Sequence, residues 1–273
     1  MNDTAYVALV ETSREELRDR IALARDRFDE LIRTADPQAR PPGSDWTVQQ
    51  VVAHVLSVAH RYRQVARGLD FHRAVNPAEV QAINQAELEA VLAPLPELAE
   101  RLREAEAELD DLFDRTSNDR PEILFHFGIM VSGYTGQTNW LSELLAHGQD
   151  VARAMKVSWE LPERDMLLVL RGMMQVGPAF LKADVPSDVS LCVALEVPGA
   201  RPYIQHVHDG IAEFRERRPQ DRPDAVLRVP ASTLALMLYQ RMGPVAAARH
   251  GLRVVGGRRP WKAAKLQSYF ETV

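Results

Sequence analysis

One predicted helix carries the feature that most constrains this chain. Between about residues 137 and 156, apolar residues recur at the spacing of an amphipathic helix: Leu141, Leu144, Leu145, Val151 and Met155. Glu143 and His147 are four residues apart in this segment, so their side chains lie on the same helical face, one turn apart. A carboxylate and an imidazole at this spacing can bind one divalent metal ion from a single helix.

A second predicted helix supplies a third candidate ligand. Thr47 and Gln50 form a capping box preceded by Trp46, which suits a hydrophobic staple, and the helix should continue to about Gly68. Its His54 could join Glu143 and His147. Two histidines and one glutamate leave a coordination position open, which is typical of a catalytic rather than a structural metal site.

Each candidate also has a purely structural interpretation. Glu143 and His147 alone would fit a solvated helix face, and only their combination with His54 favours a metal site. His206 and His208 share one face of a predicted strand, which suits either a metal pair or the polar face of a hairpin.

Composition excludes several classes of protein. The 273 residues carry a net charge of −5, which argues against nucleic-acid binding, since phosphate contacts need a basic surface. No apolar run approaches the ~20 residues of a membrane span, and the N-terminus lacks the pattern of a secretory signal, so we expect a cytoplasmic protein. The single cysteine, Cys192, excludes an internal disulfide and a cysteine-rich zinc site.

The order of predicted elements indicates two domains. Residues 1–160 should form a bundle of four or five helices with the candidate ligands projecting into its centre, interrupted by a loop with one short strand at 116–136. Residues 161–273 should form a smaller α+β domain, in which Asp209-Gly210 predicts a tight hairpin. Its predicted strands cover about 189–197, 203–207, 211–215, 225–229 and 252–255, and its predicted helices cover about 166–181, 230–242 and 261–270. In the first domain, Ser13 and Glu16 form a capping box that starts the first predicted helix.

These motifs resemble a known family. Trp46-Thr-Val with Ala53-His54, followed far downstream by Glu143-x3-His147-Gly-x-Asp150, is similar to the DinB-like, mycothiol-dependent maleylpyruvate isomerase family. The second half resembles the sterol-carrier-like C-terminal domain of many members. The matching segments there are Pro223-Asp224-Ala225, Val229-Pro-Ala231, Arg241-Met-Gly-Pro244 and Val254-Val-Gly-Gly257.

The resemblance implies a fold and a chemistry. The fold is a DinB-like four-helix bundle followed by the sterol-carrier-like α+β domain. It implies a divalent metal, most simply zinc, on His54, Glu143 and His147, and mycothiol, the low-molecular-weight thiol of actinobacteria, as co-substrate. Asp150 would orient a ligand, and Trp46 would form a wall of the thiol cleft. Arg241 matches an arginine of the family's C-terminal domain and would pair with a substrate carboxylate.

Two enzymatic functions follow from this resemblance, and we favour the first. In an S-transferase, the metal-bound thiolate would attack, or exchange onto, a small-molecule electrophile such as a sugar-linked intermediate of natural-product biosynthesis. The apolar 116–136 segment favours this, because a larger cleft would suit such a substrate. The alternative is a cis-trans isomerase of the maleylpyruvate type. A non-catalytic binder of apolar ligands or partners through the helix at 234–239 is the second alternative, and the stretch 123–134 is a candidate surface for a homodimer.

Overall fold

The computed structural model describes residues 7–271 and divides them into two compact units. The first comprises residues 13–161, and the second comprises residues 7–12 together with 162–271. The short N-terminal segment, which we assigned to the helical domain, thus lies with the second unit. The reason is hydrogen bonding to residues distant in sequence: the Arg201 N–H donates to Leu9 O at 2.9 Å, and the Tyr203 hydroxyl donates to Val7 O at 2.9 Å.

The first unit is helical, as predicted. Ser13 begins the first helix by accepting from the Glu16 N–H at 3.1 Å, and Thr47 with Gln50 forms the predicted capping box of the second. The second helix packs against the third, fourth and fifth, and the first packs against the fourth and fifth. The five helices are α1 (Arg14–Arg33), α2 (Val48–Ala66), α3 (Val80–Val91), α4 (Leu95–Arg115) and α5 (Gly133–Met155).

The segment before α5 is more regular than the predicted loop. It forms a small antiparallel hairpin of β1 (Pro121–Leu124) and β2 (Met130–Ser132). Ser132 then caps α5 by accepting from the Thr135 N–H at 3.4 Å, which starts that helix four residues earlier than predicted. Ile123 and Val131 are buried in this unit, which explains the apolar sequence. A homodimer through this stretch stays a prediction.

The second unit is the predicted α+β fold. Its five strands lie in the order β5-β4-β3-β6-β7, with β3 and β6 parallel and the other neighbours antiparallel. The strands are β3 (Leu191–Glu196), β4 (Tyr203–His208), β5 (Ile211–Glu216), β6 (Ala225–Arg228) and β7 (Arg253–Gly256), and the helices are α6 (Glu163–Val176), α7 (Ala231–Leu238) and α8 (Pro244–Arg249).

Three details of the second unit differ from the sequence prediction. The helix predicted up to Met242 ends at Leu238, and α8 was not predicted. The last predicted helix is a 3-10 helix, Pro260–Tyr269.

Among the helices built from residues 7–271, none is long and apolar enough to cross a membrane.

Candidate metal centre

The bundle brings the three predicted ligands together. His54 lies on α2, and Glu143 and His147 lie on α5. The Nε2 atoms of both histidines face the same carboxylate oxygen, Glu143 Oε2, at 3.6 Å for His54 and 3.3 Å for His147. One ligand atom from each residue lies within 4.8 Å of the others. Three convergent ligand atoms of this kind fit one small cation.

Neighbouring side chains fix the two imidazole rings. Asp150 Oδ2 lies 3.1 Å from His147 Nδ1, so that nitrogen donates its proton to Asp150 and Nε2 is the nitrogen directed at the cluster. The His54 ring packs against Trp46 with 5.0 Å between centroids, and meets the edge of His147 at 4.9 Å. His54 Nδ1 is buried and has no hydrogen-bond partner within the described part of the chain, so packing orients this ring.

Burial and mutual hydrogen bonding set the charges. Exposed side-chain fractions are 6% for His54, 12% for His147 and 18% for Glu143, so the cluster is largely removed from water. Burial lowers the pKa of His54 to about 4. Burial opposes ionisation of Glu143, but hydrogen bonds from His147 and His54 outweigh it and lower its pKa. His54 is therefore neutral and Glu143 ionised at pH 7, which are the forms that bind metals.

A bound metal would displace the proton that His147 carries on Nε2. Burial lowers its pKa, but hydrogen bonds to Asp150 and Glu143 outweigh burial and raise it above the ordinary value. The Nδ1 proton of His147 faces Asp150, whereas a proton on Nε2 faces Glu143. A cation on the three ligands would replace it and satisfy Glu143 instead.

A glycine behind the cluster allows close packing. A Cβ on Gly148, the neighbour of His147, would lie 2.2 Å from the Trp159 ring. The Trp159 indole N–H donates to Leu145 O at 3.0 Å, so the ring lies directly against α5. The position of this part of α5 thus depends on the absence of a side chain at residue 148.

Arg61 is a neighbour of the cluster that the sequence prediction missed. It lies seven residues after His54, two turns along the same face of α2, and its positive charge contributes to the lowered pKa of His54. Its guanidinium binds Glu87 at 2.7 Å and Asn84 at 2.6 Å, and both of these residues lie on α3. The seven-residue spacing was the signal that could have found it.

Arg61 also meets His126 in an unusual pairing. The Ala74 N–H donates to His126 Nδ1 at 3.0 Å, so neutral His126 carries its proton on Nε2. Arg61 Nη1 lies 3.3 Å from that Nε2, so two hydrogen-bond donors face each other. Burial, followed by the charges of Arg61 and Arg73, lowers the pKa of His126 to about 4. An oxygen atom of a ligand that accepts from both Arg61 Nη1 and His126 Nε2 would satisfy these two donors.

The remaining predicted site residues lie in both units. Trp46 is half-buried against His54 and donates its indole N–H to Gln85 at 2.8 Å. Arg241 belongs to the second unit, where its guanidinium lies 5.5 Å from the centre of the Tyr239 ring. The predicted roles of Trp46 and Arg241 in binding thiol and substrate stay predictions.

The fold and the cluster together define a class: a helical bundle with a two-histidine, one-glutamate centre, followed by an α+β unit. Residues 18–152 match the family model described as the mycothiol maleylpyruvate isomerase N-terminal domain. The chain therefore carries the N-terminal domain of this family within its first unit.

Solved structures agree with this assignment at the level of the fold. The chain is similar to the crystal structure of the mycothiol-dependent maleylpyruvate isomerase, with a TM-score of 0.56, 14% identity, and coverage of 91% of this chain and 95% of that one. A histidine-to-alanine mutant of that isomerase gives a TM-score of 0.54 at 14% identity, with the same coverage of 91% and 95%. No curated protein matches the sequence.

Proposed function

We propose that this protein is a metal-dependent enzyme that uses mycothiol to isomerise a small, conjugated electrophile of the maleylpyruvate type. The observation that carries the proposal is the convergence of His54, Glu143 and His147 in a domain of this family. Three protein ligands leave a coordination position open for a thiol.

The donor set fits a borderline cation such as zinc. Two imidazole nitrogens and one carboxylate oxygen suit Zn²⁺ and its first-row neighbours, whereas Mg²⁺ and Ca²⁺ prefer oxygen ligands only. When bound there, the cation would lower the pKa of a coordinated thiol and make thiolate available at neutral pH.

The chain's own residues would hold and position the reactants. Asp150 keeps His147 Nε2 directed at the cluster, and Trp46 offers an apolar wall beside His54. In the bundle, Arg61 is the candidate cation for a substrate carboxylate. His126 would donate from Nε2 to the same ligand oxygen as Arg61.

The proposed reaction has no net transfer of atoms. The thiolate sulfur adds to one carbon of the cis double bond, and the displaced electron pair moves onto the conjugated carbonyl oxygen. Rotation about the resulting single bond follows. The electron pair then returns, the carbon–sulfur bond breaks, and the trans double bond and the free thiolate are restored.

We rank isomerisation above S-transfer, contrary to the preference from sequence. That preference depended on the apolar 116–136 segment as a cover for a larger cleft. Ile123 and Val131 of this segment are buried in the bundle, so its apolar character has a structural cause. The non-catalytic binder loses support in the same way, because Leu234 and Leu236 of α7 are buried.

The test is a thiol-dependent isomerisation assay. Purified protein with zinc, mycothiol and maleylpyruvate should form the trans product, and omission of mycothiol should abolish this. His54→Ala should lose activity, whereas His60→Ala, a half-buried histidine six residues further along α2, should retain it. Accumulation of a stable thioether, detected by mass spectrometry, would instead indicate S-transfer. Equal activity without any thiol would contradict the proposal.

A further inference from the structure

A second group of potential metal ligands lies on the sheet of the second unit. It consists of His206 and His208 on β4 and Glu213 on β5. One ligand atom from each residue lies within 4.8 Å of the others. The two histidines are half-buried and Glu213 is exposed, so the group is accessible to ions from solution.

The backbone of the hairpin enforces this grouping. Residues 206 and 208 alternate along β4 and therefore project from the same face of the sheet. His206 lies directly opposite Glu213 in the antiparallel register, and Asp209-Gly210 forms the tight turn between the strands. The centroids of the two imidazole rings are 4.2 Å apart. The three side chains are held by strand pairing rather than by flexible loops.

A carboxylate orients one of these imidazoles. Asp209 Oδ2 lies 3.0 Å from His208 Nδ1, which fixes the proton on that nitrogen and leaves Nε2 as a lone-pair donor. The arrangement repeats that of Asp150 and His147 in the bundle. A carboxylate on the far nitrogen of a ligand histidine is the usual support of a metal site.

The charges around the group favour a cation. Arg215 Nε lies 3.3 Å from Glu213 Oε2, but both oxygens of Asp221 bind the Arg215 guanidinium at 2.8 and 2.7 Å. The three carboxylates of Asp209, Glu213 and Asp221 outnumber the two guanidinium groups, Arg215 and Arg218, that act on Asp221.

We propose that His206, His208 and Glu213 bind a divalent transition metal such as Zn²⁺ and thereby cross-link the β4–β5 hairpin. The imidazole pair selects zinc, nickel or copper over magnesium and calcium. Since β5 is an edge strand of the sheet, a metal shared with β4 would hold β5 in place. This site is separate from the candidate centre in the bundle and does not depend on the proposed reaction.

Metal stoichiometry tests the proposal. Metal-free protein is titrated with Zn²⁺, and the wild type should bind two ions per chain. The His206→Ala/His208→Ala variant should bind one, and the His54→Ala/His147→Ala variant should bind one at the hairpin. His250→Ala, an exposed histidine outside both groups, is the matched control and should bind two. Unchanged stoichiometry in His206→Ala/His208→Ala would overturn the proposal.

Hydrogen exchange locates the ion independently of stoichiometry. In the His54→Ala/His147→Ala variant, Zn²⁺ should slow amide exchange across residues 203–216. Glu213→Gln in the same background keeps the size of the side chain but weakens a ligand, so it should raise the zinc concentration needed for half-protection about tenfold or more. Unchanged exchange in these amides at saturating Zn²⁺ would contradict the proposal.

Discussion

His147 Nδ1 lies 3.1 Å from Asp150 Oδ2, and this contact determines which nitrogen of His147 faces Glu143. Asp150→Asn can still accept a hydrogen bond, but it removes the charge that makes His147 a stronger ligand. We expect zinc affinity at the bundle centre to fall about 10- to 100-fold, with the fold intact. Competition with a chromogenic chelator, in the His206→Ala/His208→Ala background, measures this. Affinity equal to that of the parent would show that Asp150 does not support the centre.

Gly148 and Trp159 give a prediction about packing. Gly148→Ala would gain up to ~1 kcal/mol from helix propensity, but its Cβ would overlap the Trp159 ring. Overpacking of this kind costs about 1–3 kcal/mol, so we expect a net loss of stability in urea unfolding.

A double-mutant cycle isolates the cause. In a Trp159→Ala background the clash is absent, so Gly148→Ala should be neutral or stabilising there. The same loss of stability in both backgrounds would mean that the tryptophan ring is not what the glycine accommodates.

The buried pair of Glu106 and Arg25 makes stability depend on pH. The Glu106 carboxylate is 2% exposed, and its Oε1 lies 3.1 Å from Arg25 Nε. Burial raises the pKa of Glu106 from 4.5 to about 7, although Arg25 opposes this. The folded protein holds the Glu106 proton more tightly than the unfolded chain does. The contribution of this proton to the free energy of unfolding is therefore fully present below pH 4.5 and is lost as pH rises through 7.

Glu106→Gln should remove this dependence. It should be more stable than the wild type at pH 8, by up to about 3 kcal/mol, and the difference should shrink towards pH 5. Glu108→Gln on the same helix is the control. Hydrogen bonds from Arg67 and Arg63 lower the pKa of Glu108, so the stability that the ionised Glu108 contributes is lost as pH falls. The pH dependence of stability is thus opposite to that of Glu106. Identical pH profiles for the two variants would contradict the account.

Arg61 and Arg63 form a matched pair on α2. Each pairs with a glutamate, Arg61 with Glu87 and Arg63 with Glu108, but Arg61 is the one on the His54 face. We expect Arg61→Met to raise KM for a carboxylate substrate about tenfold or more while zinc content is retained. Arg63→Met should leave KM near the wild-type value. Equal effects of the two variants would exclude a specific role for Arg61.

Local signals explain which elements were predictable. Capping residues at Ser13 and Thr47 marked the starts of α1 and α2, and Asp209-Gly210 marked the hairpin, because each acts within a few residues. The start of α5 was missed because Gly133 and Gly136 indicated a loop. In the structure, those glycines admit close neighbours: a Cβ on Gly133 would lie 2.7 Å from Ser117 O.

The candidate centre was predictable for a similar reason. Glu143 and His147 are linked by helical spacing, and His54 was a candidate from its own predicted helix before the family motif supported it. The spacing of seven residues places Arg61 on the His54 face of α2. Its pairing with Asn84 on α3, like the pairing of Arg25 with Glu106, joins residues far apart in sequence. Local patterns do not encode such contacts. The placement of residues 7–12 with the second unit depends in the same way on a distant partner, Arg201.

Cobalt spectroscopy tests the central claim most directly. Co²⁺ replaces zinc in sites of this kind, and a thiolate bound to it produces a charge-transfer absorption band in the near ultraviolet. In the His206→Ala/His208→Ala background, addition of mycothiol to the cobalt-loaded protein should produce this band. A further His147→Ala substitution should abolish it. Cobalt that binds at the bundle centre but gives no band at saturating mycothiol would contradict the claim that this centre activates the thiol.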